Sequence, residues 1–79
     1  MATAGILTLD LHGKTVFQAQ VAIDAQLRRA KAGVYRLRLI HGSHQGTALR
    51  DMIRQDFSHP RVKAILPSLN PGETRLLLQ

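Results

Sequence analysis

Two strand-like runs in this chain end in His-Gly, and each passes directly into a helical pattern. The first run is Leu9-Asp10-Leu11-His12-Gly13, and the second is Leu39-Ile40-His41-Gly42. In open α/β sheets, ligands bind beyond the carboxyl ends of the strands, where polar side chains and glycine turns meet. We therefore expect both His-Gly turns at one sheet edge, and we expect function at that edge.

Hydrophobic periodicity predicts the element order β-α-β-α-β-β. Strands are expected at 6–11, 34–40, 62–66 and 74–78. Helices are expected at 15–31, opened by a capping box at Thr15, and at 47–57, with Thr47 as N-cap. Right-handed crossovers place both helices on one face of a four-stranded mixed sheet. The predicted fold is an α/β two-layer sandwich with one open sheet face, forming a single domain over 1–79 with a core of about 6–78 and a flexible N-terminus at 1–5.

Strand alternation predicts which side chains occupy the open face. Leu37 and Leu39 are expected to point toward the helices, and so are Val62, Ala64 and Leu66. Ile65 is then expected on the open face, and Asp10 is expected to neutralise Arg38 across the strands. The cations predicted to bind a phosphate backbone on this face are Arg36, Arg38, Lys63 and Arg75. The alternative is that these cations only keep an open sheet soluble.

The formal charge of +6 favours nucleic acid as the partner class, because eight of the eleven basic residues are arginine. Phe17 and Phe57 are expected in or at the edge of the core, and Tyr35 on the covered face. Few aromatic side chains then remain for base stacking, which favours backbone recognition of DNA or RNA. No membrane partner is expected, because the chain has no apolar run of about 20 residues. We expect a cytoplasmic protein.

The motifs resemble those of the Smr (small MutS-related) domain family. Leu9-Asp10-Leu11-His12 is similar to its L-D-x-H signature, and His41-Gly42 to the start of its H-G-x-G signature. His59-Pro60-Arg61-Val62 and Asn70-Pro71-Gly72 are similar to later family stretches, so the resemblance covers about 7–78. It implies a fold like the C-terminal domain of translation initiation factor 3, and nucleic-acid binding with nicking or single-strand endonuclease activity. Its implied functional positions here are Asp10, His12, His41 and Gly42.

The second signature departs from the family pattern. This chain has Ser43-His44-Gln45-Gly46 where the family places a central glycine, and the loop is one residue longer. A glycine there would let backbone N–H groups approach an anion. His44 and Gly46 are predicted nucleic-acid contacts, although His44 could equally block the site.

The predicted chemistry is phosphodiester cleavage with Asp10, His12 and His41 as the catalytic residues. Residues i and i+2 of a strand lie roughly 6.6 Å apart, so Asp10 and His12 are expected to converge on a substrate atom rather than contact each other. His12 would act as general base toward water or a 2′-hydroxyl. No cofactor is required, and Mg²⁺ through Asp10 is an open alternative. A transition metal held by Asp10, His12, His41 and His44 is the competing interpretation.

Two further function classes stay open. The altered loop permits a non-catalytic nucleic-acid-binding module, and a protein-interaction domain beside a repair or translation factor is the third hypothesis. Each histidine also has a structural interpretation, in which His12 and His41 only hydrogen-bond their loops. Dimerisation through the open sheet face is open as well.

Overall fold

A computed structural model describes residues 5–42 and 47–79 and confirms the predicted fold. The strands are β1 (Ile6–Asp10), β2 (Arg36–Ile40), β3 (Val62–Pro67) and β4 (Glu73–Leu78), and the helices are α1 (Val16–Arg29) and α2 (Ala48–Asp51), the latter continued by a π-helical segment (Met52–Asp56). The strands lie in the order β1-β2-β4-β3 in one sheet, with β1 parallel to β2 and with β4 antiparallel to both of its neighbours.

Helix α1 begins and ends through side chains that satisfy its free backbone groups. Thr15 accepts the backbone N–H of Gln18, whose side chain accepts the N–H of Thr15 in return. This confirms the predicted capping box. At the other end, the Arg61 guanidinium donates to the backbone carbonyls of Leu27 and Lys31, at 3.2 and 2.8 Å. Arg61 therefore ties the last turn of α1 to the chain just before β3.

The second helix begins at the predicted residue but differs from the expectation in its geometry. Thr47 is the N-cap residue of α2, as predicted, although its hydroxyl donates to Asp51 Oδ2 at 2.8 Å and makes no capping hydrogen bond to the backbone. After one α-helical turn the backbone widens into π geometry, and the Phe57 N–H donates to the carbonyl of Met52. The widened turn still buries Met52 and Ile53 against the sheet.

The core lies between the helices and one face of the sheet. Leu37, Leu39 and Leu76 are fully buried there, as strand alternation predicts, and burial of each leucine stabilises the fold by about 1.5–3 kcal/mol. The other face carries two cross-strand rows, Ile6-Arg36-Leu77-Ala64 and Thr8-Arg38-Arg75-Leu66. No described helix covers those rows, so the open face exists as expected. The buried apolar core consists of Leu11, Ala19, Ile23, Leu27, Leu37, Leu39, Met52, Ile53, Leu76 and Leu78.

Strand β3 corrects the predicted alternation. A bulge between Val62 and Ala64 shifts the register by one residue, and an extra residue moves every later side chain to the opposite face. Ile65 consequently pairs with Leu76 and packs on the core, whereas Ala64 and Leu66 lie in the open-face rows. The predicted inward positions of Ala64 and Leu66 are wrong, and so is the predicted outward position of Ile65.

The prediction that Phe17 lies in or at the edge of the core is also wrong. Phe17 is 73% exposed, because the buried stripe of α1 runs through Ala19, Ile23 and Leu27. Tyr35 is half exposed. Gly5 was expected in a flexible terminus, but its carbonyl accepts the N–H groups of Tyr35 and Arg36; residues 1–4 lie outside the described residues.

Candidate functional site

One edge of the sheet gathers the carboxyl ends of β1 and β2 with the turn between β3 and β4. Asp10 pairs with Ile40, and Ile40 pairs with Glu73 on the far side. Leu11 extends the contact by donating its N–H to the Ile40 carbonyl at 2.7 Å. Both His-Gly turns therefore lie at the same edge, as the sequence predicts.

Asp10 and His12 form a hydrogen-bonded pair on the surface, which corrects the expectation that they would not touch. His12 Nδ1 lies 2.6 Å from Asp10 Oδ1, and the His12 backbone N–H donates to the same oxygen at 3.1 Å. The strand ends at Asp10, and the chain turns there, so the spacing of an extended strand does not apply. The hydrogen bond from the His12 ring, followed by that from its backbone N–H, holds the pKa of Asp10 below its usual value of 3.8.

The ionised Asp10 fixes the tautomer of His12. A carboxylate can only accept a hydrogen bond, so Nδ1 carries the hydrogen and the neutral ring keeps its lone pair on Nε2. The His12 side chain is 72% exposed, and Nε2 is directed away from the bonded carboxylate. The pair can accept a proton from a molecule bound at this edge.

His41 lies in a different environment, with only 6% of its surface exposed. Nδ1 lies 2.9 Å from the carbonyl of Gly42, and Nε2 lies 2.9 Å from the hydroxyl of Thr74. The carbonyl requires a hydrogen on Nδ1, so the neutral ring accepts the Thr74 hydroxyl on Nε2. Both ring nitrogens of His41 are therefore hydrogen-bonded within the protein. This arrangement favours the structural role for His41, in which it holds its loop, over a catalytic role.

Thr74 and Arg54 complete this buried chain, and the sequence analysis missed both. Arg54 Nε donates to Thr74 Oγ1 at 3.0 Å, and Arg54 Nη2 donates to the Glu73 carbonyl at 3.3 Å. Strand alternation could have identified Thr74 and His41, because they share the inward parity of Leu76 and Leu39. No sequence signal singled out Arg54.

Gly42 and Gly72 bring two backbones together beneath the site. The N–H groups of His41 and Gly42 both donate to the Gly72 carbonyl, at 2.9 and 3.0 Å. Gly42 has a φ of +80°, which side-chain-bearing residues rarely adopt, and a Cβ there would lie 3.8 Å from His12 Cβ. The backbone N–H of Gly42 is already bonded to Gly72 and is not free to bind an anion. Gly42 therefore contributes its positive-φ turn, which brings the chain close to His12.

The arginines of the open face differ in how far they are neutralised. Arg38 Nη2 lies 2.5 Å from Glu73 Oε1, so Glu73 and not Asp10 is its partner, and the predicted Asp10–Arg38 pair is wrong. The Nε atoms of Arg36 and Arg75 are buried and have no hydrogen-bond partner among the described residues. Arg36 also lies over the Tyr35 ring, with its Cζ atom 5.9 Å from the ring centroid.

The other predicted contacts are less defined. Lys63 is exposed beside the bulge of β3. His44 and Gly46 lie outside the described residues.

Within 5–42 and 47–79, no three histidine or acidic side chains form a group that could hold a metal ion. The same described residues contain no helix of the length and apolar character needed to cross a bilayer.

The sequence and the fold of this chain are both similar to those of known proteins. The family model described as the Smr domain matches residues 9–69. Among solved structures, the chain is similar to the Smr domain of Thermus thermophilus MutS2, with a TM-score of 0.80 and 33% sequence identity. That match covers 91% of this chain and 96% of the other. Curated protein sequences gave no match.

Proposed function

Because this chain belongs to the Smr domain family, whose members bind nucleic acids, we propose that it is an endonuclease that cleaves phosphodiester bonds at Asp10 and His12. The observation that carries the proposal is the exposed hydrogen bond between Asp10 and His12 Nδ1. Because Nδ1 is bonded to Asp10 and the side chain is exposed, the basic Nε2 of His12 can accept a proton from a bound nucleic-acid strand.

His12 acts as the general base in this proposal. Nε2 removes the proton from a water molecule or from the 2′-hydroxyl of RNA, and the oxygen then attacks phosphorus. The P–O bond opposite the attacking oxygen breaks, and the departing oxygen takes a proton from solvent water. A general base of this kind contributes about 10²–10⁴ in rate. Asp10 remains ionised and stabilises the imidazolium that forms, as the buried carboxylate does in hydrolytic triads.

The open sheet face holds the phosphate backbone. Arg36 and Arg75 supply guanidinium groups whose Nε atoms have no partner among the described residues, and Arg75 Nη2 donates to the Pro67 carbonyl at 3.2 Å. Arg38 contributes less, because Glu73 already neutralises it. Phosphate contacts of this kind position a strand without reading its sequence. Three of them, from Arg36, Arg75 and Lys63, would give a salt slope of roughly −2 on single strands.

His41 and Gly42 support the site from below. His41 is a positioning residue, because its ring is bonded on both sides and buried. Its hydrogen bond to the Gly42 carbonyl holds the turn at Gly42, where a Cβ would lie 3.8 Å from His12 Cβ. The proposed reaction needs no cofactor. Whether Mg²⁺ at the Asp10 carboxylate assists it is tested by comparing cleavage with Mg²⁺ and with chelator.

The experiment compares wild type with Asp10→Ala/His12→Ala on labelled single-stranded RNA and on supercoiled plasmid, each with Mg²⁺ and with chelator. We expect cleavage to fall by about 10²–10⁴ in the double variant, while binding persists. The matched control is Asp24→Ala/His59→Ala, which removes another aspartate–histidine pair, 3.5 Å apart, from the helix layer. Equal cleavage by wild type and Asp10→Ala/His12→Ala would identify a contaminant and remove the catalytic assignment.

A second candidate is a nucleic-acid-binding module without cleavage. The burial of His41 favours it, because only one of the two described histidines at this edge can reach a substrate. In that case neither substrate is cut under any condition, and binding is lost on Arg36→Ala/Arg75→Ala substitution.

A further inference from the structure

The turn between β3 and β4 presents an apolar tip at the edge that carries His12. Leu69 is fully exposed, and it follows the exposed Leu66 and Pro67 at the end of β3. Residues 68–72 carry no charged side chain, although the chain as a whole is strongly basic. An uncharged tip is unlike the arginine-bearing face beside it.

Hydrogen bonds hold this turn in one shape. The Asn70 side chain accepts the Gly72 N–H at 2.8 Å, and the Asn70 carbonyl accepts the Glu73 N–H at 3.1 Å. The Ser68 hydroxyl accepts the Asn70 N–H at 3.3 Å. Leu69 is therefore presented on a preorganised turn, and little conformational entropy remains to be lost when it binds.

The turn is also fixed relative to the Asp10–His12 pair. Gly72 accepts the N–H groups of His41 and Gly42, and Gly42 lies beside His12, since a Cβ on Gly42 would be 3.8 Å from His12 Cβ. Leu69 precedes Gly72 by three residues, so their Cα atoms lie within about 11 Å of each other. Stacked nucleotides rise by about 3.4 Å each. Leu69 thus lies within a few nucleotides of a phosphate held at His12.

We propose that Leu69 is a positioning residue that inserts between neighbouring bases of a stacked strand and unstacks them beside the bond to be cut. The ligand class is a base-stacked strand of DNA or RNA. Apolar side chains used as wedges in this way partially unstack a base step and kink the strand. The inference rests on the proposed function, since the strand that Leu69 would unstack is the strand cleaved at Asp10 and His12.

The experiment uses the full chain carrying His12→Ala, so that the probe stays intact. The probe is a short adenine-rich oligonucleotide containing one 2-aminopurine, whose fluorescence rises when it is unstacked. We expect the fluorescence to rise on binding, and we expect Leu69→Ala to lose that rise while anisotropy still reports a complex. Val21→Ala is the matched control, because it shortens a half-exposed apolar side chain on α1. It should behave like the parent.

A second readout uses the active chain. Leu69→Ala should slow cleavage of adenine-rich strands and spare uridine-rich strands, which stack weakly. A merely structural role would slow both equally and would overturn the inference, as would a fluorescence rise that persists in Leu69→Ala. Cleavage that depends on Asp10 and His12 but not on Leu69 would leave the proposed function standing alone. A Leu69-dependent rise without any cleavage would support the wedge and remove the endonuclease.

Discussion

Gly42 donates its backbone N–H to the carbonyl of Gly72 at 3.0 Å, and a Cβ on Gly72 would lie 3.4 Å from the Cα of Gly42. The two glycines let the turn after β2 and the turn before β4 pack backbone against backbone. This packing joins the Asp10–His12 edge to the β3–β4 turn. Four predictions follow from it and from the neighbouring contacts.

Gly72→Ala should destabilise the fold by about 1–3 kcal/mol, as overpacking of a close contact does. The new methyl group would meet the Gly42 backbone and the Asn70 carboxamide, which is held by the Gly72 N–H. Denaturant unfolding measures the change. Gly33→Ala is the control, since its Cβ would meet nothing within 4 Å. An equal effect at both positions would contradict the role of the close approach.

Thr74→Val should destabilise the fold by about 1–3 kcal/mol, because it leaves His41 Nε2 and Arg54 Nε without their shared partner. Valine has the shape of threonine, so the core packing is kept. Thermal and denaturant unfolding report the loss. The exposed Thr8 on β1 offers the control Thr8→Val. A neutral Thr74→Val would show that the hydroxyl does not satisfy those groups.

Acid should remove a contribution that Asp10 makes to stability. Hydrogen bonds from His12 lower the pKa of Asp10 in the folded chain. A carboxyl group whose pKa is lower in the folded chain than in the unfolded chain stabilises the fold at a pH above its unfolded pKa of 3.8. That stabilisation is lost as the pH falls through the pKa of the folded chain. The free energy of unfolding of wild type should therefore approach that of Asp10→Asn on acidification. A constant difference between the two across this range would refute the assignment.

Glu73→Gln should strengthen binding to single-stranded nucleic acid, because it frees Arg38 for a phosphate. The salt slope should steepen by about 0.7. Arg75→Gln should flatten it by about the same amount. Arg28→Gln, on α1, removes one charge away from the open face and should leave the slope unchanged. Slopes that follow net charge alone would mean that the open face is not the binding surface.

The sequence predicted the fold well, because its signals are local. The capping box at Thr15 and the alternation of Leu37 and Leu39 are each visible within a few residues, and the structure agrees with both. The placement of the two His-Gly turns at one edge followed from the parallel pairing of β1 and β2.

The errors arose where distant contacts or irregular backbone decide the outcome. The bulge after Val62 leaves no mark in the sequence, yet it reverses the facing of Ile65. The partner of Arg38 depends on the antiparallel register that brings Glu73 beside β2. The Asp10–His12 contact depends on β1 ending at Asp10, which the alternation of Leu9 and Leu11 concealed.

His12 is exposed and His41 is buried, so substitutions at these two histidines have different consequences. Among the described residues, the side chains of Asp10 and His12 are bonded only within this pair, so their replacement would remove the proposed reaction and keep the fold. The buried ring of His41 is bonded into the folded core, so its replacement would destabilise the fold itself. Descendants of this sequence could therefore lose the proposed reaction while retaining the scaffold, but could not lose the scaffold first.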